Sequence, residues 1–111
     1  QVLGAGGAPD IGELFPDTAP ENRGRDSAEF LAEALRRVRA AGCRPGNIDV
    51  VVQLQQPRLS PHKEAIRKRL AELCGLDPSA VGVKAKTAEQ LGPVGCGEAI
   101  AAQAVVLLLP A

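Results

Sequence analysis

The stretch that decides the fold reads IDVVVQL and occupies residues 48–54. Its β-branched residues stand between turn-forming residues, a pattern that predicts a strand. After a loop at 55–58, Ser60 caps and Pro61 begins a predicted second helix, which Gly75 ends. The residues VGVKAK at 81–86 alternate in the manner of another strand. This order of strand, helix and strand indicates a sheet with helices packed against it.

The flanking residues extend this pattern in both directions. A first helix is predicted over 27–41, where apolar residues recur at helical spacing after a capping Asp26 or Ser27. Residues 44–47, RPGN, are expected to form a turn. Residues 99–109 suit either a helix or a buried strand, and we favour the strand because the sheet needs closing. We therefore predict an α+β fold, a sheet of mixed strands with helices on one face.

Length and composition restrict the class of protein. The 111 residues fit a single domain, residues 1–111, and the apolar share of 45% suits a globular core. Thirteen basic residues balance thirteen acidic ones, and aromatics make up only 2%, so nucleic-acid binding is not expected. No apolar run approaches the roughly 20 residues that span a bilayer, and no signal-peptide pattern opens the chain. Three widely spaced cysteines favour reduced thiols. We expect a cytoplasmic protein, or an organellar one in a eukaryote.

Two stretches carry candidate chemistry. In DIGELFPDT, residues 10–18, Asp10 and Asp17 could bind sugar hydroxyls or a metal, or they could merely cap turns. Lys84, Lys86 and Thr87 stand where a strand runs into a glycine-rich loop. Amines, hydroxyls and backbone N–H groups suit a phosphate there, and a nearby acid, Glu89, could hold a divalent ion. The alternative is a solvated strand end.

Six segments together resemble one enzyme family, the 2-C-methyl-D-erythritol 2,4-cyclodiphosphate synthases. They occur in the family's order and spacing and cover nearly the whole chain, but only about the last two-thirds of the family domain. The segments are DIGELFPDT (10–18), GRDS (24–27), NIDV (47–50), PRLSPH (57–62), VKAKTAEQLG (83–92) and GCGEAIA (95–101).

The resemblance implies a lyase of the non-mevalonate isoprenoid pathway. Such enzymes convert 4-CDP-2-C-methyl-D-erythritol 2-phosphate to the 2,4-cyclodiphosphate and release CMP. They work as homotrimers with active sites between subunits, and zinc and a second divalent ion, Mg²⁺ or Mn²⁺, hold the diphosphate. A cytidine nucleotide substrate and a homotrimer are therefore the expected partners.

The resemblance also assigns roles to residues. Asp10 and Gly12 match contacts to the methylerythritol part, residues 15–19 a covering loop, and residues 54–60 the cytidine pocket. Thr87 matches the catalytic threonine that stabilises the transition state, and Glu89 the ligand of the second metal. The full substrate-binding set is Asp10, Ile11, Gly12, Phe15, Pro16, Asp17, Thr18, Ala19, Leu54, Gln55, Gln56, Pro57, Arg58, Leu59, Ser60, Lys86, Thr87, Ala88 and Glu89.

The chain departs from the family pattern at several positions. The family's zinc ligands would lie before Gln1, Ala19 replaces an acid, Cys96 replaces an arginine, and Lys86 stands where a threonine is usual. We therefore expect that this chain alone is not catalytic. Either the natural protein is longer, or the chain is a non-catalytic homologue that acts as a trimeric or nucleotide-binding module.

Overall fold

The secondary structure mixes helices and strands along the chain. A computed structural model describes residues 2–7, 26–55, 59–87 and 100–111. The helices are α1 (Val2–Ala5), α2 (Ser27–Ala40) and α3 (Lys63–Cys74), and the strands are β1 (Cys43–Gln53), β2 (Val81–Lys86) and β3 (Ala101–Pro110). Short 3-10 turns lie at Ser60–His62 and Pro78–Ala80. The α+β prediction is confirmed, and the strands predicted near 48–54, 81–86 and 99–109 all form.

The strands form one sheet in the order β2-β1-β3. β1 and β2 are parallel, with Cα partners from Ile48 and Val81 to Gln53 and Lys86. β3 runs antiparallel to β1, because the Ala111 N–H donates to the Gly42 oxygen at 2.9 Å, whereas a Cβ on Gly46 would lie 3.6 Å from the Leu107 oxygen. The sheet is therefore mixed, as predicted.

One compact unit comprises Gln1–Asn47 and Val106–Ala111. In it α1 packs against α2. Asp26 begins α2 by accepting a hydrogen bond from the Ala28 N–H at 2.8 Å. The predicted end at residue 41 is one residue late, because Ala41 is the C-cap. The buried side chains of this unit include Val2, Leu3, Ala34, Leu35 and Val38.

The turn predicted at residues 44–47 is wrong, because these residues belong to β1. Proline, glycine and asparagine favour a turn locally, but pairing with β3 overrides that preference. Gly46 does not form a turn but allows the Leu109 side chain to pack closely against the backbone, since a Cβ there would lie 2.7 Å from Leu109 Cδ1. Pro45 is buried within the strand.

The second compact unit is Ile48–Val105, in which α3 packs against β2. Its buried side chains include Ile48, Leu54, Ala71, Cys74 and Val81. Gly75 ends α3 as predicted, in the left-handed region with φ of 68°. None of the helices within the described ranges is long and apolar enough to cross a membrane.

Ser60 does not cap the second helix as predicted. It lies within the 3-10 turn Ser60–His62, which follows Leu59 without a side-chain cap. The His62 N–H donates to the Leu59 oxygen at 2.8 Å, so backbone groups close this turn. The α-helical hydrogen bonding begins only at Lys63.

Candidate functional site

β1 and β2 end side by side, and their ends bring together two stretches that the sequence singled out. Gln53 is the Cα partner of Lys86. One residue later the Leu54 N–H donates to the Lys86 oxygen at 3.0 Å. The start of the predicted cytidine segment thus adjoins the start of the predicted phosphate segment. We call this region the strand-end site, comprising Gln53, Leu54, Gln55, Lys86 and Thr87.

Gln55 carries the one buried polar side-chain atom that lacks a hydrogen-bond partner within the described ranges, its Oε1. The residue itself is half-buried and follows the buried Leu54. An unsatisfied buried acceptor costs on the order of 1–3 kcal/mol. A hydrogen-bond donor on a ligand would remove this cost, so the strand-end site has an acceptor suited to one.

Lys86 and Thr87 are both exposed at the end of β2. The ion pairs among the described residues leave Lys86 without an acidic partner, whereas Lys84 pairs with Asp49 at 3.0 Å. The strand-end site therefore presents an ammonium group and a hydroxyl to solvent, a combination suited to an anion. Sequence reasoning had missed Asp49, because its partner across the sheet depends on strand register.

The far end of the predicted cytidine segment precedes α3. Leu59 is half-buried, and its oxygen is engaged by the His62 N–H. Ser60 is exposed in the 3-10 turn. The two residues thus lie directly before α3.

The remaining predicted site residues lie outside the described residues, and their roles stay predictions. They are Asp10, Ile11, Gly12, Phe15, Pro16, Asp17, Thr18, Ala19, Gln56, Pro57, Arg58, Ala88 and Glu89. Across the part of the chain that the structure describes, no three histidine, cysteine or acidic side chains group in a way that could hold a metal ion. The metal predicted at Glu89 is not tested by this observation.

Comparison with known proteins agrees with the sequence resemblance. A model described as the YgbB family matches residues 1–109. The 2-C-methyl-D-erythritol 2,4-cyclodiphosphate synthase of Chromobacterium violaceum is 54% identical over 110 residues, which are 99% of this chain and 70% of that protein. The enzyme of that name from Rhodopirellula baltica is 51% identical, over 96% of this chain and 64% of its own length. The chloroplastic one from Catharanthus roseus is 50% identical, over 97% of this chain and 46% of its own length.

Solved structures show the same likeness. A 2C-methyl-D-erythritol-2,4-cyclodiphosphate synthase superposes with a TM-score of 0.87 at 43% identity, over 96% of this chain and 69% of that one. The bifunctional IspDF from Campylobacter jejuni superposes with a TM-score of 0.92 at 40% identity, over 96% of this chain and 29% of that one. A CDP complex of IspF from Plasmodium falciparum has a TM-score of 0.85 at 37% identity, over 98% of this chain and 65% of that one. The chain therefore belongs to the YgbB family, that of the 2-C-methyl-D-erythritol 2,4-cyclodiphosphate synthases.

Proposed function

We propose that this chain takes part in the reaction for which its relatives are named, the formation of 2-C-methyl-D-erythritol 2,4-cyclodiphosphate. The carrying observation is the hydrogen bond between the Leu54 N–H and the Lys86 oxygen, which joins the nucleotide segment to the phosphate segment. Ligands commonly bind beyond the carboxyl ends of parallel strands. The substrate would be a cytidine nucleotide, since solved relatives are complexed with CDP.

The nucleotide half of the proposed site is the segment 54–60. The Leu54 N–H is already bonded to the Lys86 oxygen, so this group joins the ends of β1 and β2 and does not contact the ligand. The unpartnered Oε1 of Gln55 is an acceptor available to the substrate. Residues 56–58, which lie outside the described residues, would supply the rest of the cytidine contacts.

The phosphate half of the proposed site begins at Lys86 and Thr87. In the reaction, an oxygen of the 2-phosphate attacks the β-phosphorus of the CDP group. The bond from that phosphorus to the bridging oxygen breaks, and CMP leaves with the bonding electron pair. Lys86 would balance the negative charge of the phosphates, and the Thr87 hydroxyl would donate a hydrogen bond to a phosphate oxygen in the transition state.

The proposed metal ligand of this chain is Glu89. A carboxylate two residues beyond Thr87 is the hard oxygen donor that Mg²⁺ or Mn²⁺ prefers. When bound, such an ion supplies charge neutralisation on the diphosphate. The described residues do not form a cluster suited to zinc, and we derive no step through that metal.

The proposed assembly is a homotrimer, as the family resemblance implies. Along β3 the apolar side chains of Val105 and Leu107 are 71% and 50% exposed, and Ile100 just before the strand is 66% exposed. Exposed large apolar groups on a strand are a common mark of an interface. A second copy of the chain is the occupant that we propose for them.

Calorimetric titration with CDP, with and without Mg²⁺, tests the nucleotide site directly. We expect saturable binding that Mg²⁺ tightens, and an approximately tenfold weaker affinity for Lys86→Met because a charge-assisted contact is lost. Lys68→Met, which removes an exposed lysine on α3, is the matched control and should bind as the parent chain does. Glu89→Ala should abolish the Mg²⁺ effect.

The contrary outcomes are distinct. Equal affinity for CDP in both lysine variants would remove Lys86 from the site. If light scattering shows a trimer and calorimetry shows no CDP binding, the non-catalytic module would be favoured over the enzyme. Release of CMP from the full substrate, measured by chromatography, would establish catalysis by this chain and contradict the expectation that it is not catalytic alone.

A further inference from the structure

Asp49 and Lys84 form an ion pair across the two parallel strands. The Lys84 Nζ lies 3.2 Å and 3.0 Å from the two carboxylate oxygens of Asp49. In the register Asp49 is opposite Gly82, and Lys84 is opposite Val51, so the pair is diagonal. Because side chains alternate along strands, Lys84 and Lys86 belong to the same face of β2.

Gly82 makes room for this diagonal pair. A Cβ at Gly82 would lie 3.0 Å from Asp49 Oδ1, closer than side-chain carbons ordinarily approach. Glycine inside a strand often marks such a close approach. The Asp49 carboxylate can thus lie over β2 and reach Lys84.

The pair determines where positive charge is available on this face. Two residues along a strand span about 6.6 Å, so Lys84 and Lys86 could both reach one bound diphosphate with their long, flexible side chains. The carboxylate of Asp49 offsets part of the charge of Lys84, with both side chains more than half exposed, while Lys86 has no acidic partner among the residues that the structure describes. Net positive charge is therefore concentrated on the last residue of β2.

We infer that Asp49 is a positioning residue that holds Lys84 out of the phosphate site, so that Lys86 alone supplies the strand's cation to the diphosphate. This inference rests on the proposed function, because it assumes that phosphates bind at the strand-end site. Asp49 acts through Lys84 and does not touch substrate. Its removal would give the site a second cation and change which amine is covered by a bound anion.

Lysine acetylation in the presence of inorganic pyrophosphate, followed by mass spectrometry, tests this inference. In the parent chain, pyrophosphate should protect Lys86 and leave Lys84 reactive. In Asp49→Asn it should protect both amines and bind about threefold to tenfold more tightly at low ionic strength, because the freed Lys84 lies two residues from Lys86 on the same face of β2. The gain should shrink in 0.5 M salt.

Three variants separate positioning from other effects. Asp49→Glu keeps the charge and should retain the parent pattern of protection. Asp49→Asn/Lys84→Met should lose the gain in affinity. Glu72→Gln changes the net charge equally on α3, where Glu72 pairs with Arg69, and should leave protection unchanged. Circular dichroism checks that each variant folds.

Three results would each overturn the inference. In the parent chain, pyrophosphate could protect both lysines or neither of them; in Asp49→Asn, Lys84 could stay as reactive as in the parent chain. A different result would contradict the proposed function, namely an affinity for CDP that is no higher than the affinity for pyrophosphate. Pyrophosphate protecting Lys86 alone, with no preference for CDP, would therefore keep the role of Asp49 and reject the nucleotide substrate.

Discussion

Single residues of the strand-end site show how far sequence reasoning reached. Lys86 and Thr87 were predicted from a run of amine and hydroxyl groups at a strand end, and they do lie at that end. Asp49 was missed as a partner of Lys84, because the contact joins residues 35 positions apart and depends on the register of two strands. Periodicity within one strand carries no information about that register.

A prediction at this scale concerns the unsatisfied oxygen of Gln55. Gln55→Met should raise the free energy of unfolding by about 1 kcal/mol, because it replaces a side chain whose buried oxygen is unpaired by an apolar group of similar shape. The same variant should bind CDP about fivefold more weakly, since the proposed ligand loses an acceptor worth roughly 1 kcal/mol. Urea denaturation and calorimetry measure the two effects.

Gln103→Met on the exposed part of β3 is the matched control for this trade between stability and binding. It should leave the affinity for CDP unchanged. Lower stability in Gln55→Met would mean that the amide has a partner in the folded chain, and unchanged affinity would mean that it does not face the ligand.

At the scale of elements, the sequence predicted the helix and strand bounds that local residues determine. It failed where pairing with a distant strand determines the bound. β2 formed at the predicted residues, since alternation and flanking turn residues agree there. β1 begins five residues earlier than predicted because β3 pairs with residues that favour a turn on their own. Capping behaved similarly: Asp26 caps its helix, whereas Ser60 is absorbed into a 3-10 turn.

The end of α3 gives a prediction for Gly75. Gly75→Ala should lower the free energy of unfolding by about 1 kcal/mol, because a left-handed conformation costs a residue with a Cβ roughly 1–2 kcal/mol. Gly75→Asn should lose less, since asparagine tolerates this conformation. Urea denaturation of the three chains orders them, and equal stability of the alanine and asparagine variants would contradict the argument.

α2 gives a prediction about pH. A hydrogen bond from Arg36, followed by that residue's charge and a second hydrogen bond from Arg37, holds the pKa of Glu33 at about 2, below its usual 4.5. The folded chain thus favours the carboxylate, and the resulting stabilisation is present above pH 4.5 and is lost as the pH falls toward 2.

Glu33→Gln should therefore flatten the fall in melting temperature between pH 4.5 and 2. The effect should be small, because the pair is exposed to solvent. Thermal melts of both chains across this range, recorded by circular dichroism, make the comparison. Parallel curves would show that the ion pair does not contribute to stability.

For the whole molecule, composition and element order predicted the α+β class, and the sequence motifs predicted the family. Neither could yield the strand order β2-β1-β3, since it depends on pairings distant in sequence. The two segments of the candidate site could be singled out in the sequence, but the hydrogen bond that joins them through Leu54 and Lys86 is visible only in the fold.

The prediction at this scale concerns assembly. Val105→Lys should reduce the mass measured by light scattering from that of a trimer toward that of a monomer, because a charge would be buried in the proposed interface. Ala65→Lys adds the same charge at an exposed position on α3, away from β3. Its mass should stay closer to a trimer's. Equal masses for the two variants would argue against an interface at Val105.

The burial of Cys74 has a kinetic consequence. Its residue is only 2% exposed, at the end of α3 and in the core of the unit Ile48–Val105. A thiol reagent can reach it only when that unit opens transiently, so the rate of labelling would report how often this happens. With Cys43 and Cys96 changed to serine, Cys74 would be the one remaining thiol, and its labelling rate would measure how often this unit opens. Slower labelling of Cys74 in the presence of CDP would show that the bound ligand reduces the frequency of this opening.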